Sequence, residues 1–450
     1  MTPRFTDRMV RQALQLPGGV DIAYAAVVTD TRQLPRGALF VALSGPHFDG
    51  HAFLQAAIEK GARGAVVRQG TAPPAGLVVY PVADTLRALG DLAAVDRRRI
   101  TGPVVAITGQ NGKTSTKEMM AAALATRWPT HRTRANLNNL VGVPLTILES
   151  PDGAGAMVVE AGANLPGEIA RYREIIQPDI AVVLNAGSGH LEGFGSVEGV
   201  VREKLALTRD VPLAIVGVQP PHLPDGARQL ARRVITAGLE HAEVVPDALA
   251  MSPDGRAIVS KDGRTFTLAA RGRHQAGNAM FVWAAARELG LDLDSVAAAL
   301  ERTPTVAGRG ELVQHGALTV LNDCYNANPE SFASAIAMAQ SLRAGRRLVF
   351  VAGSMRELGD HAPALHARVA EQLAALQPEV LALVGDFVPA FAPHRAAYAG
   401  RLVEAATAEE LAPLLAGRLS GNELLVLKAS RGVALERILP VILARFALPA

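Results

Sequence analysis

Short apolar runs of four to seven residues recur along the chain. They alternate with longer stretches in which apolar positions return every three or four residues. The first pattern predicts buried parallel strands and the second predicts helices laid on a sheet. In the first hundred residues, runs at 24–29, 38–43, 64–68 and 77–80 predict strands, while 51–60 and 84–98 predict helices. RRRITGP, at 97–103, reads as a linker. A second unit opens on VVAIT at 104–108, and AMVVE at 156–160 and IAVVLN at 180–185 predict further strands of its sheet. Between 211 and 271 the pattern weakens among prolines and glycines, leaving short β segments such as RAIVS and RTFTLAA. A third unit begins near Glu311, with strand runs at 318–323, 347–353, 380–385 and 424–430 and helix starts at Pro329, His361 and Gly432. The alternation predicts an α/β protein of three domains, 1–99, 100–312 and 313–450, with parallel sheets in the second and third.

Composition narrows the class. The chain has 450 residues, enough for two to four domains at roughly 100–200 residues each. With 49% apolar and 19% charged residues it is globular rather than disordered. A net charge of +3 gives no broad basic surface for nucleic acid. Cys324 is the single cysteine, so no intrachain disulfide can form, which fits a reducing, cytoplasmic setting. No long apolar segment predicts a signal peptide or a membrane span. Only six of the 45 basic residues are lysine: 60, 113, 117, 204, 261 and 428. Arginine keeps its proton, whereas lysine can become a neutral nucleophile, so a lysine in this background invites a chemical reading. Chance is the alternative at any one of them.

The sharpest local signal is AITGQNGKTS, at 106–115, where a strand enters a glycine loop and a helix follows. Gly109, Gln110, Asn111 and Gly112 let backbone N–H groups turn toward an anion at a helix N-terminus. Lys113 can neutralise phosphate oxygens, the Thr114 hydroxyl can ligate Mg²⁺, and Ser115 continues the turn. Ile107 stands where the usual loop begins with glycine. The loop is expected to face solvent. Glu160 ends a strand, where a parallel sheet presents ligands, and reads either as a metal carboxylate or as a surface charge. His190, in LNAGSGHLEGFG, reads either as structural or as a metal or substrate contact.

Eight segments then stand in a particular order: TGQNGKT, NLNNLVGVPLT (136–146), VVEAGAN (158–164), GHLEGFGS (189–196), GRHQAGN (272–278), NDCYNANPES (322–331), AGSMRELGD (352–360) and LKASRG (427–432). Together they resemble the ATP-dependent Mur ligases of peptidoglycan synthesis, from TDTR at 29–32 to the last motif. The resemblance implies an N-terminal UDP-substrate-binding domain, a central phosphate-loop ATPase domain and a C-terminal Rossmann-like domain. HLEGFGS and DCYNANPES imply the activity that joins D-alanyl-D-alanine to UDP-N-acetylmuramoyl-tripeptide through an acyl phosphate. They also imply a cytoplasmic monomer that uses ATP and two Mg²⁺ ions.

Residue by residue, the resemblance implies that Thr114 and Glu160 bind the first Mg²⁺ and His190 the second. Lys204, fourteen residues beyond His190, matches the lysine that the family converts to a carbamate with CO₂. Asn278, Asp323, Tyr325 and Asn326 match nucleotide contacts, and Arg309 matches a phosphate-facing arginine. Thr31, Arg32, Asn138 and Asn139 match the UDP-muramoyl-peptide site, with Thr31 where serine is usual. FVALSGPHFDGHAF (40–53) resembles the adjoining uridine stretch. Lys113, Lys204, His190 and Arg309 are the expected catalytic group. Two alternatives stay open: a sister ligase adding a single amino acid, and a phosphate-loop kinase that needs no amine.

Overall fold

The computed structural model describes residues 4–46 and 48–446, so one position of the 40–53 stretch lies outside it. Four parallel strands form the first sheet, in the order Val27–Val28, Leu39–Val41, Gly64–Arg68 and Val78–Val82. The run expected at 24–29 is split. Ala23–Tyr24 pairs antiparallel with Phe5–Thr6, and only Val27–Val28 enters the sheet. The helix expected at 51–60 begins as a 3-10 turn, Gly50–Phe53, before the α-helix Leu54–Glu59. Helix Thr85–Asp96 starts where the Asp84 carboxylate accepts from the Leu86 and Arg87 amides, a strong N-cap.

Six parallel strands make the second sheet. Their order is Thr130–Arg132, Ala156–Glu160, Val104–Thr108, Ile180–Val183, Leu213–Val216 and Val234–Thr236. Val104–Thr108 sits between Ala156–Glu160 and Ile180–Val183, so the chain departs to either side of it. That divergence opens a crevice at the carboxyl ends of these strands, the usual ligand position in such a sheet. The weakly patterned region contributes two strands to this sheet and a separate three-stranded antiparallel one, Ala248–Met251, Arg256–Lys261 and Arg264–Arg271. Phe266 from this small sheet stacks on Trp283, ring centroids 5.3 Å apart.

In the third sheet the order is Glu311–His315, Leu318–Asp323, Leu424–Lys428, Leu348–Gly353, Val380–Val384 and Leu402–Ala405, parallel except for the first pair. The division expected after residue 312 lies within the first of these strands. Helix Pro329–Arg343 has a capping box made by Asn328 and Ser331. The helix expected at Gly432 is instead two 3-10 turns, with the α-helix beginning at Ile438.

Buried side chains show how these units join. One apolar core runs without interruption from Val10, Leu39 and Leu89 in the first unit to Val143, Ile147 and Tyr172 in the second. Arg4 binds the buried Asp96 carboxylate and donates to the Leu148 carbonyl, tying the same two units. The third unit has cores of its own, around Phe332 and Phe350 and around Leu425 and Ile438.

Candidate active site

Strand Val104–Thr108 delivers the chain to the crevice, and helix Lys113–Leu124 carries it away. Two glycines make the turn possible. Gly112 has φ +86°, and a Cβ there would lie 2.5 Å from Asn278 Oδ1. Gly109 has φ +150°, and its Cβ would press on Leu184. Asn278 therefore backs the loop, and its own amide donates to Gln275 Oε1 at 3.1 Å. Asn185 supports the loop from just beyond the neighbouring strand Ile180–Val183: its Oδ1 accepts from the Gln110 amide at 3.1 Å and the Asn111 amide at 2.9 Å. Those two amides are taken, which leaves the first-turn amides of the helix to face an anion.

The loop does not face open solvent as expected. Gln110 and Thr114 are buried. The third unit covers the loop, with Asn111 and Asn328 exchanging side-chain hydrogen bonds of 3.2 and 2.9 Å. Lys113 lies back on its own loop, donating to the Gly109 carbonyl at 2.8 Å and the Gln110 carbonyl at 3.0 Å. Burial lowers its pKa to about 8; Glu160 and Glu357 act in the opposite sense, and the Arg309 cation adds to the lowering.

Glu160 ends its strand beside the loop, fully buried. Oε1 accepts from Asn138 Nδ2 at 2.8 Å, while Oε2 has no partner. Asn138 thus touches the carboxylate directly. Asn139 instead braces the turn that leads into helix Gly142–Leu148, its Oδ1 accepting from the Val141 amide at 3.2 Å and the Gly142 amide at 2.8 Å. His190 adopts a left-handed backbone, φ +58°, at the start of a short turn. Its Nδ1 is 2.6 Å from Glu357 Oε2 of the third unit, close but not aligned for a linear hydrogen bond.

Lys204 sits on helix Val197–Leu205 with no exposed surface and no partner for Nζ. Burial lowers its pKa to about 7, and the nearby Lys113 cation pushes in the same direction. Its neighbour Glu203 points elsewhere, accepting from the Gly167 and Ile169 amides. Among the described residues, no group of three or more His, Cys, Asp or Glu side chains is gathered for a metal ion.

On the third-unit side, Arg309 stacks over Tyr325, 4.1 Å from the ring centroid. Asp323 pairs with Lys428 at 2.8 Å, and Lys428 also donates to the Asn326 carbonyl at 2.7 Å. These contacts hold Asp323, Tyr325 and Asn326 in one fixed stretch. Thr31 and Arg32 form a 3-10 turn in the first unit, and exposed Arg32 pairs with Asp30 at 2.7 Å. The structure gives that pair only local hydrogen bonds.

Sequence reasoning missed Asn185, Asn328, Glu330 and Glu357. All four stood inside segments already singled out, and each is a polar residue at or just after a strand's carboxyl end or at a helix start. Only their partners across the crevice reveal their work.

A glycine loop at the diverging centre of a parallel sheet, backed by buried lysines and a strand-end carboxylate, defines a phosphate-loop enzyme of three α/β units. Burial leaves one lysine and one carboxylate oxygen unpartnered beside the loop, which suits charged reactants. The chain belongs to the Mur ligase family. It is matched in order by "Mur ligase family, catalytic domain" over residues 23–97, "Mur ligase middle domain" over 107–286 and "Mur ligase, glutamate ligase domain" over 308–431. UDP-N-acetylmuramoyl-tripeptide–D-alanyl-D-alanine ligase of Bacillus subtilis (strain 168) is 32% identical over 442 residues, covering 96% of this chain and 95% of its own. A crystal structure of MurF from Acinetobacter baumannii superposes with a TM-score of 0.88 at 30% identity, over 98% of this chain and 99% of that one. MurF from Thermotoga maritima, solved in complex with ADP, superposes with a TM-score of 0.83 at 27% identity, over 94% and 97%.

Proposed function

We propose that this chain is an ATP-dependent ligase joining D-alanyl-D-alanine to UDP-N-acetylmuramoyl-tripeptide, with release of ADP and phosphate, in the making of peptidoglycan precursor. The observation that carries the reading is 32% identity along nearly the whole length of a ligase so named. A carboxylate resists attack by an amine because its oxygen is a poor leaving group. Phosphorylation by ATP supplies the leaving group: the carboxylate oxygen takes the γ-phosphoryl group and ADP departs. The amine then adds to the acyl carbon, and the tetrahedral intermediate expels phosphate.

Each residue has a role in that sequence. First-turn amides and Lys113 hold the transferring phosphoryl group, where charge builds up. Asn278 keeps the loop in shape. Asp323, Tyr325 and Asn326 contact the nucleoside, and Arg309 faces the phosphates. Thr31 and Arg32 bind the UDP end of the peptide nucleotide. Asn138 and Asn139 line the peptide's path, Asn138 while also orienting Glu160.

Two Mg²⁺ ions fit the site on one condition. Thr114, Glu160 with its unpartnered Oε2, and His190 are suitable ligands, but a Lys204 ammonium among them would repel a cation. Addition of the neutral amine to CO₂, with loss of a proton, makes Lys204 an anionic carbamate and completes the set. When bound, the ions offset negative charge on the phosphate oxygens. The domain division proposed is three units with boundaries near residues 100 and 311. No helix of the described residues is long and apolar enough to cross a membrane, and the enzyme is proposed to work as a cytoplasmic monomer.

A substrate panel tests the reading. Phosphate release should require the UDP-muramoyl tripeptide and D-alanyl-D-alanine together. Comparable turnover with a UDP-muramoyl dipeptide and one free amino acid would move the assignment to a sister ligase. Phosphate transfer to substrate without any amine would make it a kinase.

A further inference from the structure

Gln110 is 5% exposed, and neither Nε2 nor Oε1 has a hydrogen-bond partner. Burying an amide with donor and acceptor both unsatisfied is costly, because neither regains the hydrogen bonds it made to water. Gln110 is also fixed in place. Its backbone amide is held by Asn185, and its carbonyl accepts from Lys113. On the far side it lies flat against Gly189: a Cβ there would meet Gln110 Nε2 at 1.9 Å and Cδ at 2.7 Å. Only glycine leaves room for this side chain.

The loop carrying Gly189 is itself anchored to the third unit. Ser188 Oγ donates to Glu330 Oε1 at 2.5 Å, and His190 approaches Glu357 at 2.6 Å. The Gln110 amide therefore sits where the phosphate loop, the Gly187–His190 loop and the third unit meet. Asn111 and Asn328 use their amides on each other. Unpaired groups also occur on the ionisable side chains Glu160, Lys204 and Arg309 and on the Thr116 hydroxyl. Within the loop itself, Gln110 offers a free donor and a free acceptor on separate atoms of one neutral group, whereas the unpartnered Thr116 hydroxyl lies inside the following helix.

That combination distinguishes the two halves of the reaction. In the first half, carboxylate and phosphoryl oxygens are both acceptors, so Oε1 has nothing to accept from. In the second half an N–H donor stands beside phosphoryl oxygens. Building on the ligase reading, we propose that Gln110 is a catalytic residue for amide formation: Nε2–H donates to a phosphoryl oxygen of the acyl phosphate while Oε1 accepts an N–H of the attacking amine. In that step the amine lone pair forms the C–N bond. The C–O bond to phosphate breaks with its electron pair leaving on phosphate, which also takes the nitrogen's surplus proton. Gln110 aims the lone pair and steadies the leaving group without taking up the proton.

The test is rapid-quench kinetics with ATP, UDP-muramoyl tripeptide and D-alanyl-D-alanine, following ADP and ligated product separately. Gln110→Ala and the similarly sized Gln110→Met should slow product formation about 10- to 100-fold, the loss expected for hydrogen bonds to charged groups. ADP formation should slow at least about fivefold less, so ADP appears in a burst ahead of product. Gly189→Ala should give the same split by displacing the amide. Adding Gln110→Ser to Gly189→Ala relieves the crowding but should not restore product formation. Equal slowing of both products, slowing of neither, or recovery in the double variant would overturn the assignment, because each makes Gln110 a packing residue only. Absence of ligation by the wild-type enzyme would instead overturn the ligase reading, so the two failures are distinguishable.

Discussion

Replacing Lys204 with methionine should make the protein more stable and the enzyme inactive. The lysine is fully buried, its Nζ is unpartnered, and the aromatic ring of Phe194 is 5.9 Å away. Burial brings its pKa from 10.5 to about 7. The sign follows from proton counts. Below pH 7 the lysine is charged in both folded and unfolded chains, so the folded state bears the whole cost of a buried ammonium. Between pH 7 and 10.5 the folded lysine is neutral while the unfolded one still holds its proton, so stability rises with pH. At about 1.4 kcal/mol per tenfold change in proton affinity, the full cost is on the order of 5 kcal/mol, shrinking to about 1 kcal/mol at pH 9.5. Methionine keeps most of the apolar stem and carries no charge. In CO₂-depleted buffer, the thermal midpoint of Lys204→Met should exceed that of wild type clearly at pH 6.5 and only slightly at pH 9.5. The same depressed pKa leaves most of the amine neutral at pH 8, whereas an ordinary lysine is almost wholly protonated there, and the neutral amine is the form that adds CO₂. Ligation should therefore depend on CO₂ in the wild type and be lost in both Lys204→Met and Lys204→Arg. Labelled bicarbonate should give a carbamate carbon signal in the wild type alone. Full activity of Lys204→Arg without CO₂, or a lower midpoint for Lys204→Met at pH 6.5, would refute the reasoning.

Other expectations are narrower. Lys113→Ala should lose turnover corresponding to about 2.7–4 kcal/mol, by analogy with lost oxyanion donors, with circular dichroism native, because Nζ bonds only to its own loop; near-wild-type turnover would place the nucleotide elsewhere. Gly112→Ala puts a side chain at φ +86° and against Asn278, so ADP affinity by calorimetry should fall about tenfold or more, and unchanged affinity would remove the need for glycine. Tyr80→Phe takes a hydrogen bond from the Asp7 carboxylate and from Tyr24 and should cost about 1–3 kcal/mol. Burial works to raise the Asp7 pKa, but the Tyr80 hydroxyl, the Val20 amide and Arg11 outweigh it, so Asp7 contributes stability at neutral pH that is lost as pH falls through its lowered pKa. The acid-unfolding midpoint of Tyr80→Phe should accordingly move to higher pH; an unmoved midpoint would count against the network. Small-angle scattering should show a smaller radius of gyration when ATP and tripeptide nucleotide are added to ligand-free enzyme, and no change at saturation would count against closure.

What the sequence made legible follows from burial. Runs at 64–68, 104–108, 156–160 and 318–323 match their strands at both ends, because each is mostly buried and sharply bounded. Thr130–Arg132 and Leu402–Ala405 escaped because they are short edge strands whose positions are mostly only half-buried, and Val234–Thr236 because it closes the far edge within a weakly patterned region. The phosphate loop was readable because its residues are contiguous. Glu160 was readable because a strand's end is a position, and Lys204 only through the family resemblance, with which the scarcity of lysine agrees. Asn328 could not be read in the same way. It reaches Asn111 across 217 residues of chain, and no local pattern encodes that meeting. The Gln110 side chain had no reading of its own in the sequence, where only its backbone N–H counted, because its packing against Gly189 joins segments far apart in the chain.

The division of cores determines which part of the enzyme can move. The first and second units share one apolar core, so separating them would expose a large hydrophobic area. The third unit meets the phosphate-loop side through Asn111–Asn328, Ser188–Glu330 and His190–Glu357, with half-buried Leu365 reaching the shared core. Water can replace such polar pairs at a net cost of about 0.5–1.5 kcal/mol each, a size that bound ligands can supply. Residues 303–310 join the two bodies, and Gly308 and Gly310 both have φ near +70° on either side of Arg309. Rotation at these glycines must carry Arg309, because Tyr325 of the third unit is stacked beneath it and donates its amide to the Gly308 carbonyl. In the arrangement of the units in this structure, Arg309 is close enough to act on Lys113, and Glu357 reaches His190. If the third unit closes as the scattering prediction holds, charge placement and exclusion of water become one event, which an acyl phosphate prone to hydrolysis requires.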